Sequence, residues 1–347
     1  MQPVNRYMQQ VLTSSAIVMD SPGSVAQRSV QLVKPGDTDL VVEIAASGIS
    51  TGTEKLLWQG KMPAFPGLKY PLIPGYEAVG TVVSSGEHCQ LAIGTKVFVP
   101  GSTGFAGDVR GLFGASASTL VVPENRVCAI GDLASNEAVL LALAATAMHI
   151  VTHQLRQTDE LSGPISDLSE INRERLTAAA PELIVGHGTL GRLLARICVA
   201  LGAVAPTVWE TNPARRSGAI NYCVTTQQDD DRRDYRRVCD VSGAGGDLFD
   251  TLIARLARGG HLVLGGFYSD QVAFTFPPAF MREANISIAA EWSPEDLRLV
   301  QSLIANEALS LDGLVSHYES AANAAKAYPQ AFNDPDCLKM VLDWSTS

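Results

Sequence analysis

The sequence predicts an α/β protein in two parts, a β-rich unit followed by a doubly wound parallel sheet. Three observations predict it. Fifteen of the 30 glycines fall between Gly36 and Gly131, interleaved with short β-branched runs at 40–44, 78–83, 96–99 and 118–122; dense turn signals between short strands mark an all-β unit. Beyond residue 183, strand-like and helix-like stretches alternate, the pattern of βαβ units on a parallel sheet. At their junction the apolar run LIVG runs directly into HGTLG (183–191), glycine spacing at the start of a helix.

Length and composition fit this division. The 347 residues are enough for two domains, and 46% apolar against 18% charged content can bury real cores. With 26 Lys and Arg against 36 Asp and Glu the net charge is -10, which repels nucleic acid and anionic lipid headgroups. The six cysteines, Cys89, Cys128, Cys198, Cys223, Cys239 and Cys337, form no C-x-x-C pair and no cluster, and are expected to be reduced structural thiols. The N-terminal stretch 1–20 lacks a basic segment followed by an apolar one. The longest apolar run, Ala138 to Met148, is about half of the ~20 residues a membrane-spanning helix needs. A cytoplasmic protein without a transmembrane segment is the expectation.

In chain order, LVVEI (40–44), AVGTVV (78–83), KVFV (96–99) and STLVV (118–122) are expected strands, and the alanine-rich stretch 135–154 an expected helix. LIVG (183–186) is the first parallel strand, followed by TVWE (207–210), RVCDVSG (237–243) and HLVLGGF (261–267), with helices at 190–203 and 247–259 between them. The run DDDRRDYRR (229–237) mixes signs, and a solvated loop or helix face is expected there rather than a binding patch. LLWQGKMPAFPG (56–67) is expected to be loop-like.

Gly186-His187-Gly188-Thr189-Leu190-Gly191 fits G-x-G-x-x-G after a strand and before a helix. Gly186 permits the tight turn, Gly188 lets backbone approach a pyrophosphate, and Gly191 allows close helix packing, with His187 beside the pyrophosphate. Glu210 ends the next strand, 19 residues past Gly191, where a carboxylate accepts ribose hydroxyls and repels a 2′-phosphate. NAD is therefore the expected cofactor. Arg215 and Arg216 could pair a 2′-phosphate, or be solvated or flank the adenine ring.

The segments AASGISTGTE (45–54), PGYEAVGTVVSSG (74–86), VGHGTLG (185–191), DVSGAGG (240–246), LARGGHLVLGGF (256–267) and CLKMVLDW (337–344) together resemble the medium-chain dehydrogenase/reductase superfamily over nearly the whole chain. The resemblance implies a GroES-like catalytic and substrate domain at 1–147 and 290–347, a Rossmann domain at 148–289, and a homodimer formed through the last Rossmann strand near 286–292. It extends the cofactor set to Thr146, Ser242, Gly265, Gly266, Phe267 and Lys339. Zinc-dependent members hold their catalytic ion where this chain has Ser50, Tyr76 and Ala142, and their structural zinc lobe, expected between Val99 and Val121, contains no cysteine. Neither site can be built here in the family's way, so no metal is expected. The GISxGTE and PGYE wording is most similar to the bacteriochlorophyllide a dehydrogenases of bacteriochlorophyll biosynthesis, which implies oxidation of a 3-(1-hydroxyethyl) group on a tetrapyrrole to 3-acetyl with NAD.

Without a metal, another group must take the carbinol proton. Candidates are Tyr76, Ser50, Thr51 and Glu77, the last pointing to the opposite face of an extended segment from Tyr76. Tyr76 either bonds to the reacting oxygen or only fills volume. His149 is a further candidate, although its spacing to His153 also suits helix packing. A flat tetrapyrrole needs an apolar slot, for which Trp58, Phe65, Phe105 and Tyr268 are candidate walls, with Phe113, Phe267 and Phe280 also available and Lys61, Lys69 or Arg110 at the rim. The competing functions are a zinc-free quinone or enone reductase of the same superfamily, and an NAD-binding scaffold that has lost catalysis.

Overall fold

The computed structural model describes residues 11–157, 165, 167–269 and 271–345; the first ten residues of the N-terminal stretch lie outside them. The chain divides into two compact units, Met1–Leu141 with Val315–Ser347, and Ala142–Leu314.

The first unit is β-rich. Strands Thr13–Ser21 and Ser24–Gln31 form a hairpin around Pro22 and Gly23, the glycine at φ +77°, a turn conformation that favours residues without a Cβ. The long strand Asp39–Ile49 pairs antiparallel with Ala78–Ser85, with Thr119–Pro123 and with the returning C-terminal strand Met340–Asp343. The last pairing sets Met340 opposite Ile49, which brings the C-terminal segment to the edge of the Ser50 turn. Ile17, Leu40, Val42, Leu57, Leu72, Leu120 and Tyr328 are fully buried in the core of this unit. Each buried aliphatic side chain stabilises by roughly 1.5–3 kcal/mol relative to exposure.

The second unit carries a six-stranded parallel sheet in the spatial order Cys223–Thr225, Thr207–Trp209, Leu183–Val185, Tyr235–Asp240, Leu256–Leu264 and Asn285–Ile288. In chain order these are strands three, two, one, four, five and six, the doubly wound arrangement expected, and their apolar runs suit a sheet covered on both faces. The order reverses beside Leu183–Val185, and the glycine loop leaves that strand into the helix Thr189–Ala200.

Several boundaries differ from expectation. The second passage between units falls at 314/315 rather than 289/290, because helix Pro294–Ala305 is bound into the second unit. Its Asp296 takes hydrogen bonds from His149 and Thr152 on helix Leu141–Gln157, and Arg196 donates to the Ser310 and Asp312 carbonyls. The alanine-rich helix is two helices, Ser135–Ala138 and Leu141–Gln157, interrupted at Val139 and Leu140. Residues 56–59 are helical, within Thr53–Gln59. The sign-mixed run 229–237 is not wholly solvated. Asp230 is buried and accepts from Trp209 Nε1 at 2.7 Å and Tyr235 Oη at 2.8 Å, and the Arg255 guanidinium packs over the Trp209 ring. Among the described residues no helix is long and apolar enough to cross a membrane, and all six cysteines are free thiols.

Candidate active site

Each unit gathers its own set of expected functional residues. In the second unit the glycines of the loop have separate reasons to be glycine. Gly186 has φ +102°, and a Cβ on Gly191 would sit 1.9 Å from the Gly186 carbonyl oxygen. A Cβ on Gly188, by contrast, would meet no protein atom within 4 Å. The surrounding fold therefore leaves open space at that glycine, which stands at the N-terminus of helix Thr189–Ala200. Thr189 and Leu190 form the first turn of this helix.

Glu210 is locked to the loop. Its Oε2 accepts the His187 backbone N–H at 2.9 Å and its Oε1 accepts the Asn212 N–H at 2.7 Å, which leaves a further lone pair on each oxygen for hydroxyl donors. Arg216 folds back and donates to the Glu210 and Thr211 carbonyls. The Arg215 carbonyl accepts from His187 Nδ1 and from Arg192. His187, expected beside the pyrophosphate, is instead fully buried between the Arg215 carbonyl and the Tyr222 hydroxyl, at 2.6 and 2.7 Å. Nδ1 must carry the proton to donate to a carbonyl, so Nε2 accepts from Tyr222. Burial, first of all, lowers this imidazole to about 4 and keeps it neutral.

Ser242, Gly265 and Gly266 converge on Asp240, a residue absent from the expected set. The Gly265 and Gly266 N–H groups donate to the Asp240 carbonyl at 2.9 and 3.1 Å. Its carboxylate accepts the Ser242 hydroxyl at 2.6 Å and the Tyr268 hydroxyl at 2.6 Å. Burial pushes the Asp240 carboxyl up, and these donors pull it back. Tyr268, half-buried, thus braces the loop through its hydroxyl, with its ring 5.5 Å from Phe249. Phe267 next to it is exposed. Thr146 donates its hydroxyl to Ala142 within its own helix. His149 is buried against Asp296 at 2.9 Å, and Asp296 also closes the capping box of helix Pro294–Ala305 with Ser293. Those partners fix the His149 ring inside this unit.

In the first unit Ser50 and Tyr76, expected at positions where zinc-dependent members carry ligands, meet each other: Tyr76 Oη donates to Ser50 Oγ at 2.7 Å. Burial, then the neighbouring Glu77, holds the Tyr76 phenol well above its ordinary value, so it stays a neutral donor. Phe113, at φ 65°, sets its ring edge-on to Tyr76 with centroids 5.4 Å apart. Thr51 is half-buried in the turn that follows Ser50. Glu77 is fully buried, both of its oxygens taking Lys339 Nζ at 2.9 and 2.7 Å, and Lys339 also donates to the Ile49 carbonyl at 3.3 Å. A Cβ on residue 48 would lie 2.1 Å from Glu77 Oε2, so Gly48 is what admits the carboxylate. Burial raises Glu77 and the Lys339 charge opposes it. Lys339, expected in the cofactor set, is only 1% exposed and spent on this pair.

Glu54 is a second carboxyl beside them that residue patterns did not single out. It is fully buried on helix Thr53–Gln59 and accepts the Ser50 N–H at 3.1 Å. Of the expected walls, Phe105 belongs to the core, and Trp58 packs at the core's edge against Phe332 with centroids 6.1 Å apart. Phe65 is exposed. Among the described residues no three His, Cys, Asp or Glu side chains group as a metal site.

Residues 36–132 match the alcohol dehydrogenase GroES-like domain family. The chain is 50% identical over 333 residues to the 2-desacetyl-2-hydroxyethyl bacteriochlorophyllide A dehydrogenase of Rhodobacter capsulatus, covering 96% of this chain and 99% of that protein. It is 49% identical over 337 residues to the protein of the same name in Cereibacter sphaeroides, with 96% and 99% covered. Among solved structures, 2R,3R-butanediol dehydrogenase from Bacillus subtilis superposes with a TM-score of 0.75 at 16% identity, covering 96% of this chain and 100% of that one. L-idonate 5-dehydrogenase from Escherichia coli does so with a TM-score of 0.76 at 17% identity, covering 96% and 99%. The structural likeness establishes the fold, a GroES-like unit with a Rossmann unit, and the near-full-length identity establishes kinship. The chain belongs to the family of the 2-desacetyl-2-hydroxyethyl bacteriochlorophyllide A dehydrogenases.

Proposed function

We propose that this protein oxidises the 3-(1-hydroxyethyl) group of a bacteriochlorophyllide or chlorophyllide to 3-acetyl, with NAD as the hydride acceptor and no catalytic zinc. The observation that carries the chemistry is the Tyr76–Ser50 hydrogen bond, formed where zinc-dependent relatives of this fold place metal ligands. A hydroxyl and a phenol do not supply the thiolate or imidazole donors a zinc tetrahedron needs. Ser50 Oγ accepts from Tyr76 and keeps its own proton as a donor, so the pair can receive the carbinol proton at one oxygen while releasing one from the other. Thr51, next in the chain, extends the supply of hydroxyls. Loss of hydride from a carbinol conjugated with the macrocycle is easier than from an aliphatic alcohol, because the new carbonyl joins the π system.

NAD, when bound, supplies the two-electron acceptor. Gly188, the N-terminus of helix Thr189–Ala200, Ser242, Gly265, Gly266 and Phe267 would hold it, and Glu210 would take the ribose hydroxyls. Glu210 would repel a 2′-phosphate, and Arg216 is committed to backbone carbonyls, which favours NAD over NADP and weighs against an NADPH-dependent enone reductase. Phe65, exposed between Lys61 and Lys69 on the segment after helix Thr53–Gln59, suits an apolar ring face with a carboxylate at its margin.

The protein is read as a cytoplasmic homodimer. Strand Asn285–Ile288 is an edge strand with Ile288 67% exposed, and Phe276, Phe280 and Met281 beside it are exposed as well. Such an edge is suited to pairing with its copy. The test is incubation with NAD and the 3-(1-hydroxyethyl) bacteriochlorophyllide. A red-shifted acetyl product with one NADH per product supports the reading; NAD binding without turnover overturns it in favour of a lapsed scaffold.

A further inference from the structure

Glu54 sits four residues after Ser50, in the first turn of helix Thr53–Gln59, where a carboxylate ordinarily faces solvent and the helix dipole. Here it is fully buried. Oε1 accepts the Ser50 N–H, which fixes the main chain that carries the Tyr76 partner. Oε2 makes no hydrogen bond in the structure, nor do the buried Tyr328 Oη and Ser116 Oγ, although the Tyr328 hydroxyl interacts with both Glu54 and Ser116.

Charge balance decides the state of this carboxyl. An ammonium has three protons, and Lys339 directs its three at the two Glu77 oxygens and the Ile49 carbonyl. None of those three protons remains for Glu54, and a second anion beside Glu77 would have to share the single Lys339 charge, a buried imbalance that costs several kcal/mol. A protonated Glu54 removes that charge and turns Oε2 into a donor, so that Glu54, Tyr328 and Ser116 can chain their hydroxyls.

We propose that Glu54 is held as a neutral carboxylic acid and is the positioning residue of the Ser50–Tyr76 pair, anchoring Ser50 through Oε1 while its proton keeps a second negative charge away from Tyr76. This rests on Ser50 and Tyr76 handling the carbinol proton. The titratable groups facing Glu54 are Glu77, Tyr328, Lys339 and Tyr76. Burial above all, with Glu77 acting in the same sense, lifts the Glu54 carboxyl to about 8. Its charge raises the Tyr76 phenol, so ionisation of Glu54 makes proton removal at the pair harder and opposes oxidation at alkaline pH.

The test joins pH-difference infrared spectra of the unliganded protein with pH profiles of kcat and KM for NAD and the 3-(1-hydroxyethyl) bacteriochlorophyllide. A carboxylic acid carbonyl band that titrates at about pH 8 in the native protein and is missing from E54Q is expected. E54Q, a neutral mimic, lowers kcat near neutrality by no more than about threefold and lacks the alkaline fall of the native profile, whereas E54A lowers kcat roughly tenfold or more with KM little changed. E54Q as slow as E54A, or no band lost in E54Q, overturns the neutral acid. If the band is found and lost as expected but Tyr76→Phe turns over normally, the proton-handling pair fails, and the positioning role fails with it.

Discussion

Replacing Lys339 by methionine removes half of an ion pair whose side chains are 1% and 0% exposed. The amine holds both Glu77 oxygens and the Ile49 carbonyl, and methionine offers none of them a donor. Breaking a buried pair from one side costs about 3–5 kcal/mol, because the remaining charge is left without a partner. For a unit of this size that corresponds to a fall in Tm of roughly 6–20 °C. The variant can relieve the cost by protonating Glu77, whose carboxyl burial already raises. A carboxyl raised in the folded state keeps a proton that the unfolded chain has released, so its contribution to stability is present at low pH and is lost as pH rises. The deficit measured by urea unfolding should therefore be larger at about pH 8 than at about pH 5. Adding Glu77→Gln to Lys339→Met should recover most of the loss, a strongly non-additive cycle. A deficit under about 1 kcal/mol that does not vary with pH, together with a raised KM for NAD, would refute this reasoning and return Lys339 to the cofactor set.

Three further outcomes are expected. Tyr76→Phe removes the donor to Ser50 Oγ and should slow single-turnover hydride transfer by about 10²-fold with little change in substrate affinity; an unchanged rate removes Tyr76 from the mechanism. Gly188→Ala places its Cβ where no protein atom lies within 4 Å, so thermal stability should hold while NAD affinity, read by fluorescence titration, falls roughly tenfold or more. If the proposed homodimer forms through the edge strand, Ile288→Lys, at an exposed position of that strand, should sediment as a monomer where the unaltered chain sediments as a dimer.

Local pattern made much of the fold legible, and strand pairing across the chain hid part of the site. The glycine loop and the parallel strands announce themselves because apolar runs and glycine spacing are short-range signals, and the sheet follows from them. Ser50 and Tyr76 were legible as a pair of positions through their surrounding motifs, though not as partners in a hydrogen bond. Lys339 and Glu77 stand 262 positions apart and meet only because Met340 registers opposite Ile49. Glu54 reads as an ordinary helix-start acid until the burial of its face is known. Asp230 is hidden in a run whose alternating charges resemble a surface, and its burial follows from Trp209, Tyr235 and Arg255 closing over it. Phe105 and Trp58 show the converse. Aromatic residues in glycine-rich or loop-like stretches look available for a ligand, yet here they complete a core.

The claim on which the rest depends is that protein hydroxyls, and no Lewis-acidic ion, manage the carbinol proton. Metal analysis of the purified enzyme, combined with turnover of the 3-(1-hydroxyethyl) bacteriochlorophyllide before and after exhaustive chelation, tests it most directly. The expected result is substoichiometric zinc and an undiminished rate with NAD; one tightly held zinc per chain, whose removal abolishes turnover and whose return restores it, would contradict the account.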